Sequence, residues 1–432
     1  MKALLISLFH PELVRGGAQQ VCYELFEGLR DDGTDVTLLA SVDESMPALF
    51  KSGAHITGFD GRPGEFLFLS RSYDHWWHKV GEPMLVAAFA EFLETMRPDV
   101  VHFHHFLTYG VDVVALTRRT LPMARIVFTL HEFIAVCHAS GQMVRKTDGS
   151  LCTRASPVRC HQCFPEHAPE RFFMRRAWIL ANLTAVDVFT TPTRFMQKLF
   201  ADWGIDQRRI VHVPNGQRDY APAQWNRHAA PAGERPNRFG FFGQLVDNKG
   251  LLVLLQAATI LRQSGFSDFQ VEVNGDNLRY ASDDNRRQVD AFRLEEEARP
   301  FSERNVTFKG SYHVDTLVAR MSRVDWCIAP SIWWETFALV ISEAWMFGRP
   351  VIASNIGAMA ERVRHDVDGL LFAVGDARDL AAAMRRACEE QGLWSRLNRA
   401  LPRPPAREDM VGGFKAIYAA APPGRRTMQA TA

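Results

Sequence analysis

The strongest constraint on folding is a rhythm that runs twice along the chain: a short, mainly apolar run, a loop, then a longer amphipathic run. In the first series the apolar runs fall at 2–9, 36–39, 100–103, 126–130, 188–190 and 210–213. Between the first two, the stretch 18–30 sets Val21, Leu25, Phe26 and Leu29 on one helical face. Short runs that are apolar on both faces and separated by helices predict parallel strands buried between helical layers. After Pro214-Asn215-Gly216 a polar, Pro/Ala-rich stretch to about Pro236 reads as a linker. The rhythm then restarts, with strands predicted at 239–242, 269–273, 306–308, 326–329 and 351–353. Helices are predicted at 250–261, 313–321, 336–347 and 380–388, and 283–304 reads as a charged surface helix with its loops. The expected fold is α/β, with two Rossmann-like, doubly wound parallel-sheet domains facing across a cleft. Ligands of such sheets bind outside the carboxyl ends of the strands. The expected boundaries are 1–214 and 215–400, with a disordered tail at 422–432.

Composition supports this reading and closes off others. A chain of 432 residues, 47% hydrophobic and 23% charged, has enough apolar material for two full cores and is neither disordered nor disulfide-stapled. Lys+Arg 50 against Asp+Glu 49 leaves a net charge of +1, which excludes a broad nucleic-acid footprint. No uncharged stretch is long enough to span a bilayer as a helix. The apolar start at 2–9 meets His10-Pro11-Glu12 without a small-residue cleavage site, so it reads as a buried strand rather than a signal peptide. Seven sparse cysteines fit a reducing compartment, and the expected location is cytoplasmic.

Two stretches carry chemistry. In Pro330-Ser331-Ile332-Trp333-Trp334-Glu335-Thr336-Phe337, the residues after the strand at 326–329 form its carboxyl-end loop, and Thr336 is the expected helix N-cap. Glu335 would then sit just before a helix N-terminus, whose free N–H groups and dipole suit a phosphate, with Glu343 about two turns along. Glutamate pairs at that spacing occur on any helix; the strand and the aromatic context raise this one above the background. In Phe241-Phe242-Gly243-Gln244-Leu245-Val246-Asp247-Asn248-Lys249-Gly250, a strand runs into a loop bearing an amide and one lysine. Lysine is a point charge suited to phosphate oxygens, although Gly-containing loops with a lysine are common. Neither the spacing of an NTPase phosphate loop nor a dinucleotide-binding glycine series is present.

Taken in order, these motifs resemble the donor domain of retaining GT-B glycosyltransferases, in particular the large family four of sugar-nucleotide-dependent enzymes. The likeness extends to Gly348-x-Pro350-Val351-Ile352-Ala353, Gly16-Gly17-Ala18, Asp99 to His104, Thr129-Leu130-His131, Val213-Pro214-Asn215-Gly216, and Gly369 to Phe372 with Gly375-Asp376. The resemblance implies an acceptor-side first domain, a donor-binding second domain, and a last helix at about 406–421 packing back on the first. It implies donor contacts at Gly16, Gly17, Asn215, Gly243, Gln244, Lys249, Phe337 and Glu343, with Lys249 on the diphosphate and Glu343 on the ribose. It implies that Glu335 contacts the transferred sugar and that His131 faces the reacting centre. The implied reaction moves a hexose-type sugar from a nucleotide-diphosphate sugar to a glycan or lipid-linked acceptor, with retention, in polysaccharide biosynthesis, and with no nucleic-acid partner. A lipid-linked acceptor would bring the enzyme into peripheral contact with the inner face of the membrane. Two other readings share this fold: a sugar-nucleotide 2-epimerase, and a non-catalytic sugar-nucleotide or glycan-binding protein.

Two residues depart from the family pattern. Gln244 stands where Arg is usual, leaving more of the diphosphate charge to Lys249, the helix terminus or Arg15. Gly357-Ala358 replaces a common Gly-Gly pair, which matters only if the second position needs a positive φ. Asp366-Val367-Asp368-Gly369 contains a D-x-D triplet but reads as a turn, so no catalytic metal is expected. Cys137, Cys152, Cys160 and Cys163 form C-x14-C-x7-C-x2-C, compatible with a structural zinc and equally with unligated thiols or a redox pair. Trp76-Trp77 read as either an acceptor groove or core. Arg171 to Trp178 reads as a charged helix covering the core more readily than as a membrane-surface helix. His102, His104 and His105 are expected to pack or line the cleft.

Overall fold

The computed structural model describes residues 1–43, 45–50, 53–221, 225–228 and 235–420. The chain forms two units, Met1–Arg218 with the returning segment from Ala406, and Asp219–Pro405. The tail expected at 422–432 lies outside the described residues, as do 222–224 and 229–234 of the expected linker.

In the first unit the strands are β1 (Lys2–Ser7), β2 (Asp35–Val42), β3 (Ile56–Gly58), β4 (Glu65–Leu69), β5 (Tyr73–Asp74), β6 (Lys79–Val80), β7 (Val100–Phe103), β8 (Arg125–Thr129), β9 (Val188–Thr191) and β10 (Ile210–His212). Eight of them form one sheet in the order β10-β9-β8-β7-β1-β2-β4-β3, and β5 pairs with β6 separately. All pairings in the large sheet are parallel except β3 against β4. That edge pair was missed in the sequence because no helix separates β3 from β4, so the strand–helix rhythm breaks there. Helices α1 (Gly17–Asp31), α2 (Pro83–Met96), α3 (Asp112–Thr120), α4 (Pro157–Cys163), α5 (Pro169–Leu183) and α6 (Arg194–Trp203) supply the crossovers. The periodic face of α1 behaves as predicted: Val21, Leu25, Phe26 and Leu29 are all buried.

The second unit holds β11 (Arg238–Phe242), β12 (Gln270–Asn274), β13 (Val306–Gly310), β14 (Trp326–Ala329), β15 (Val351–Ser354) and β16 (Gly369–Phe372). Their order, β13-β12-β11-β14-β15-β16, is parallel throughout. The helices are α7 (Leu251–Gln263), α8 (Asp283–Ala298), α9 (Leu317–Met321), α10 (Leu339–Met346), α11 (Gly357–Arg362), α12 (Ala377–Glu389) and α13 (Leu393–Arg399). Leu251, Leu254, Leu255, Ala258 and Leu261 of α7 join Trp326, Ile328, Leu380 and Met384 in one core. Asp325, fully buried, fixes the start of β14 to β11. Its carboxylate accepts from the Arg238 backbone N–H at 3.0 Å and from the guanidinium at 3.1 and 2.7 Å. The two central strands are thereby pinned at one end by a charge-assisted fork.

The chain returns to the first unit as α14 (Arg407–Ala419), which packs along α1. Its Met410, Val411, Phe414 and Tyr418 are buried, and the Tyr418 hydroxyl lies 2.7 Å from His102 Nδ1. Gly28 makes the close approach possible, since a Cβ there would come within 2.6 Å of Val411 Cγ2. Because Phe414 is 2% exposed and stacks near His102, Phe414→Ala should cost about 3–5 kcal/mol. The check is the unfolding midpoint of the first unit; a midpoint equal to wild type would show that the returning helix is only loosely attached.

Candidate active site

Parallel strands gather their carboxyl-end loops along one edge of a sheet. In the second unit two such loops, 243–250 after β11 and 330–338 after β14, belong to neighbouring strands. They are stitched together at Gly250, which has a φ of 70° and whose Cβ position is taken by the carbonyl oxygen of Pro330. Beside it the Ile332 N–H donates to the Asn248 carbonyl at 2.9 Å. Only glycine meets both demands, a left-handed backbone and a carbonyl where a side chain would start.

This stitch sets Lys249 against Glu335, with Nζ 2.6 Å from Oε1. The same oxygen accepts from Ser331 Oγ at 2.7 Å and Trp333 Nε1 at 3.0 Å. Burial alone would raise the pKa of Glu335; the Lys249 charge and the bonds from Lys249, Ser331 and Trp333 outweigh it and hold the carboxyl below its ordinary value. The lysine side chain remains 29% exposed while that of Glu335 is 8% exposed, so the cation is the accessible half of the pair. Ser331 and Trp333 stood in the quoted motif, but their polar atoms were given no role.

The helix predicted at 336–347 is shorter in the structure. Ala338, in the left-handed region at φ 59°, is the residue before α10, and Thr336 does not cap it. Arg362 explains the loop's shape: its guanidinium donates to the carbonyls of Phe337 and Ala338 at 2.8 and 2.9 Å and to Ser342 Oγ at 2.6 Å. It also stacks 3.8 Å from the Phe337 ring, which is buried. Nothing in the motif spacing marks Arg362. Glu343, half-buried on α10, adds its charge to the burial that raises the Tyr312 phenol well above its ordinary value. Gly243 donates its N–H to Asn274 and packs against Gly275, and Gln244 is exposed. The positive φ in the Gly357-Ala358 pair belongs to Gly357, at 50°. Ala358 is buried in α11 and donates its N–H to the Glu335 carbonyl at 3.2 Å. The D-x-D triplet is a turn: Asp368 accepts from Arg364 N–H and Nε, and Asp366 pairs with Arg386.

Gly16, Gly17, His131 and Asn215 belong to the first unit. Gly16 precedes α1 in extended conformation, Gly17 opens it, and Asn215 is buried just beyond β10. His131, two residues past β8, is buried with Nε2 2.9 Å from His104 Nδ1. Burial pushes its pKa down to about 3, so it is a neutral imidazole at neutral pH. His102, His104 and His105 are also buried, and His105 Nε2 lies 3.3 Å from Glu132 Oε1. Trp76 is core, packed between His138, His167 and Phe172. The helix predicted around Arg171–Trp178 is α5; it buries Phe172 and Arg175 and exposes Phe173 and Met174. Cys137, Cys152, Cys160 and Cys163 form no disulfide and line one small cavity.

Comparison with known proteins fits this geometry. Residues 16–216 match the family model described as glycosyl transferase 4-like domain, and residues 236–390 match glycosyl transferases group 1. These two matches take in most of the chain, and with the fold they place it among the GT-B glycosyltransferases. Glycogen synthase from Mycobacterium tuberculosis is 26% identical over 99% of this chain and 97% of its own length. A 2-deoxystreptamine glucosyltransferase from Streptomyces kanamyceticus is 29% identical over 52% and 54%. Among solved structures, Anabaena HepE in complex with UDP and glucose superposes with a TM-score of 0.66 at 16% identity, covering 98% of this chain and 100% of that one.

Two outcomes follow from this geometry. Gly250→Ala should strain the backbone and push the Pro330 loop away, separating Lys249 from Glu335. A lowered melting temperature together with a Glu335 carboxyl pKa that rises in an NMR titration is the expected result; an unmoved pKa would break the link between the stitch and the ion pair. Burial lowers the pKa values of His78, His102, His104, His105 and His131 below the ordinary 6.5. Below about pH 6.5 the unfolded chain therefore takes up protons that the folded unit does not, and stability falls with pH. Glu132, raised by burial to about 8, works in the opposite sense but stands against these imidazoles and that of His138, which burial also lowers, to about 4. The melting temperature of the first unit should accordingly drop between pH 7.5 and pH 5.5, and a flat or rising profile would contradict these buried neutral states.

Proposed function

We propose that the protein transfers a hexose-type sugar from a nucleotide-diphosphate sugar to a hydroxyl of a glycan or lipid-linked acceptor, with retention of anomeric configuration. The observation that carries this reading is the Lys249–Glu335 pair on the carboxyl-end loops of β11 and β14. It offers a partly exposed ammonium for the donor diphosphate and a fixed carboxylate for sugar hydroxyls. The names of the relatives, a glycogen synthase and a glucosyltransferase, and the UDP and glucose bound by HepE support the same donor class.

In this reading Lys249 and the amides at the start of α10 stabilise the departing diphosphate, and Phe337 and Gly243 shape the backbone around it. Glu343, half-buried on α10, takes the ribose hydroxyls. Gln244 contributes a neutral hydrogen bond, so Lys249 carries most of the charge compensation. On the first unit, Gly16, Gly17 and Asn215 provide backbone and amide groups for the donor, and the neutral His131 accepts or donates a hydrogen bond at the reacting sugar. With retention, a donor phosphate oxygen takes the proton of the incoming hydroxyl as the glycosidic bond forms on the face the diphosphate leaves. The two carboxylates of the D-x-D turn are engaged by arginines, and the reaction proceeds without a catalytic metal. A cytoplasmic location, with peripheral contact to the inner membrane face for a lipid-linked acceptor, follows from this donor and acceptor pairing.

A thermal-shift screen of nucleotide sugars tests the donor, since a bound ligand raises apparent stability by mass action. One nucleotide sugar should stabilise the protein, and NMR of the product made from it should show the donor's anomeric configuration. Inverted product would overturn retention, and donor turnover without acceptor to a 2-epimer would make the protein an epimerase. Lys249→Ala should weaken donor binding and slow transfer by about 1.5–3 kcal/mol, the worth of a charged contact. Glu335→Ala should lower turnover more than donor affinity, and Glu343→Ala the reverse. Steady-state kinetics separates these, and a pure affinity loss in Glu335→Ala would remove it from the transferred sugar.

A further inference from the structure

We propose that Cys137, Cys152, Cys160 and Cys163 form a structural zinc site that holds the 137–164 segment together, independently of the sugar chemistry. Three pieces of backbone bring these residues to one place. Cys137 follows a turn in which its N–H donates to Phe133 and its carbonyl accepts from Gly141. The segment 143–152 is a tight hairpin, with Val144 bridging Leu151 antiparallel and the Cys152 N–H donating to the Met143 carbonyl at 2.7 Å. Cys160 and Cys163 stand one turn apart on α4, hence on one face of it. All four line a cavity of about 20 Å³, room for a single small guest.

Apart from the buried Met143 and Phe164 and the packing of α4 on α5, the segment has few apolar anchors. None of the residues of α4 is buried, and the nearest apolar cluster, Trp76, Phe164 and Phe172, counts Cys160 and Cys163 among its partly buried members. The polar surroundings are built for negative charge. The backbone N–H groups of Ala139 and Met143 hydrogen-bond the Cys137 sulfur. The Nε atoms of Arg145, Arg159 and Arg175 are buried with no acceptor among the described residues, and Arg145 and Arg159 line the cavity itself. Arg175 is 3% exposed and lies within electrostatic reach of Cys137 and Cys160; it donates to the carbonyls of Ala135 and Ile134 at 2.9 and 2.8 Å. At the cavity wall the buried Nε donors of Arg145 and Arg159 lack a negatively charged acceptor among the described residues. A Zn²⁺ bound by four thiolates carries a net charge of −2 and supplies it.

Zinc replaces the four thiol protons, which pass to solvent, and no oxidant or reductant is involved. Soft thiolates favour zinc over magnesium or calcium. Among the described residues no group of three metal-ligating side chains is already arranged to hold an ion. The metal must therefore draw the sulfurs inward from the cavity wall, and the hairpin and α4 close on it as it binds.

The test uses the full-length chain purified without chelator. Elemental analysis should find stoichiometric zinc, and titration with a mercurial should release it in step with modification of four thiols. Replacement by Co²⁺ should give the intense thiolate-to-metal absorption of a tetrahedral site. Cys160→Ser should lose the metal and become sensitive to proteases within 137–164, while wild type stays resistant until the metal is removed. Reduced wild-type protein that takes up no stoichiometric Zn²⁺ overturns the proposal, as does a denatured mass showing native disulfides among these cysteines. Neither result bears on donor binding, which the nucleotide-sugar screen reads separately.

Discussion

The site depends on one close approach between two backbones. Gly250 lies so near Pro330 that the carbonyl oxygen occupies the place of a side chain, and this contact sets the distance between Lys249 and Glu335. The sheet supplies the parallel loops, but parallel loops on adjacent strands need not touch. What makes them one surface is a residue without a Cβ at a positive φ, reinforced by the Ile332–Asn248 hydrogen bond. A similar device recurs next door, where Gly275 packs onto the Gly243 carbonyl and the β12 loop is drawn against the β11 loop. The glycines of this edge therefore act by permitting backbone contact, and the charged residues inherit their geometry from it.

That dependence explains what the sequence displayed and what it concealed. The strand–helix rhythm was legible because buried parallel strands must be apolar on both faces, and the core strands around β1 and β14 appeared at their expected positions. Lys249 and Glu335 were legible as neighbours of strand ends and as members of a family pattern. The start of α10 was not, because Thr336 has the chemistry of a cap while the backbone is decided by Arg362, a residue more than twenty positions away in the chain. Ser331 and Trp333 were hidden for a related reason: a hydroxyl and an indole N–H acquire meaning only when a carboxylate is folded onto them. His102, His104 and His105 could be seen as a cluster and His131 as part of a family pattern, but their neutrality is a product of burial that no local pattern records.

The two units differ in electrostatic character. The second presents an ion pair and a half-buried glutamate. The first presents imidazoles that burial keeps uncharged, with Glu132 also pushed toward its protonated form.

In the proposed reaction Lys249 must serve two anions in turn. Before donor binds, it neutralises Glu335, a carboxylate too buried to stay ionised on favourable terms alone. When the diphosphate arrives, the ammonium is shared with a stronger anion, and Glu335 keeps Ser331 and Trp333 as donors while sugar hydroxyls take up the remainder of its capacity. The carboxylate is thus never stripped of partners at any stage. In this proposal the two neutral donors from its own loop, Ser331 and Trp333, are what free the lysine to move.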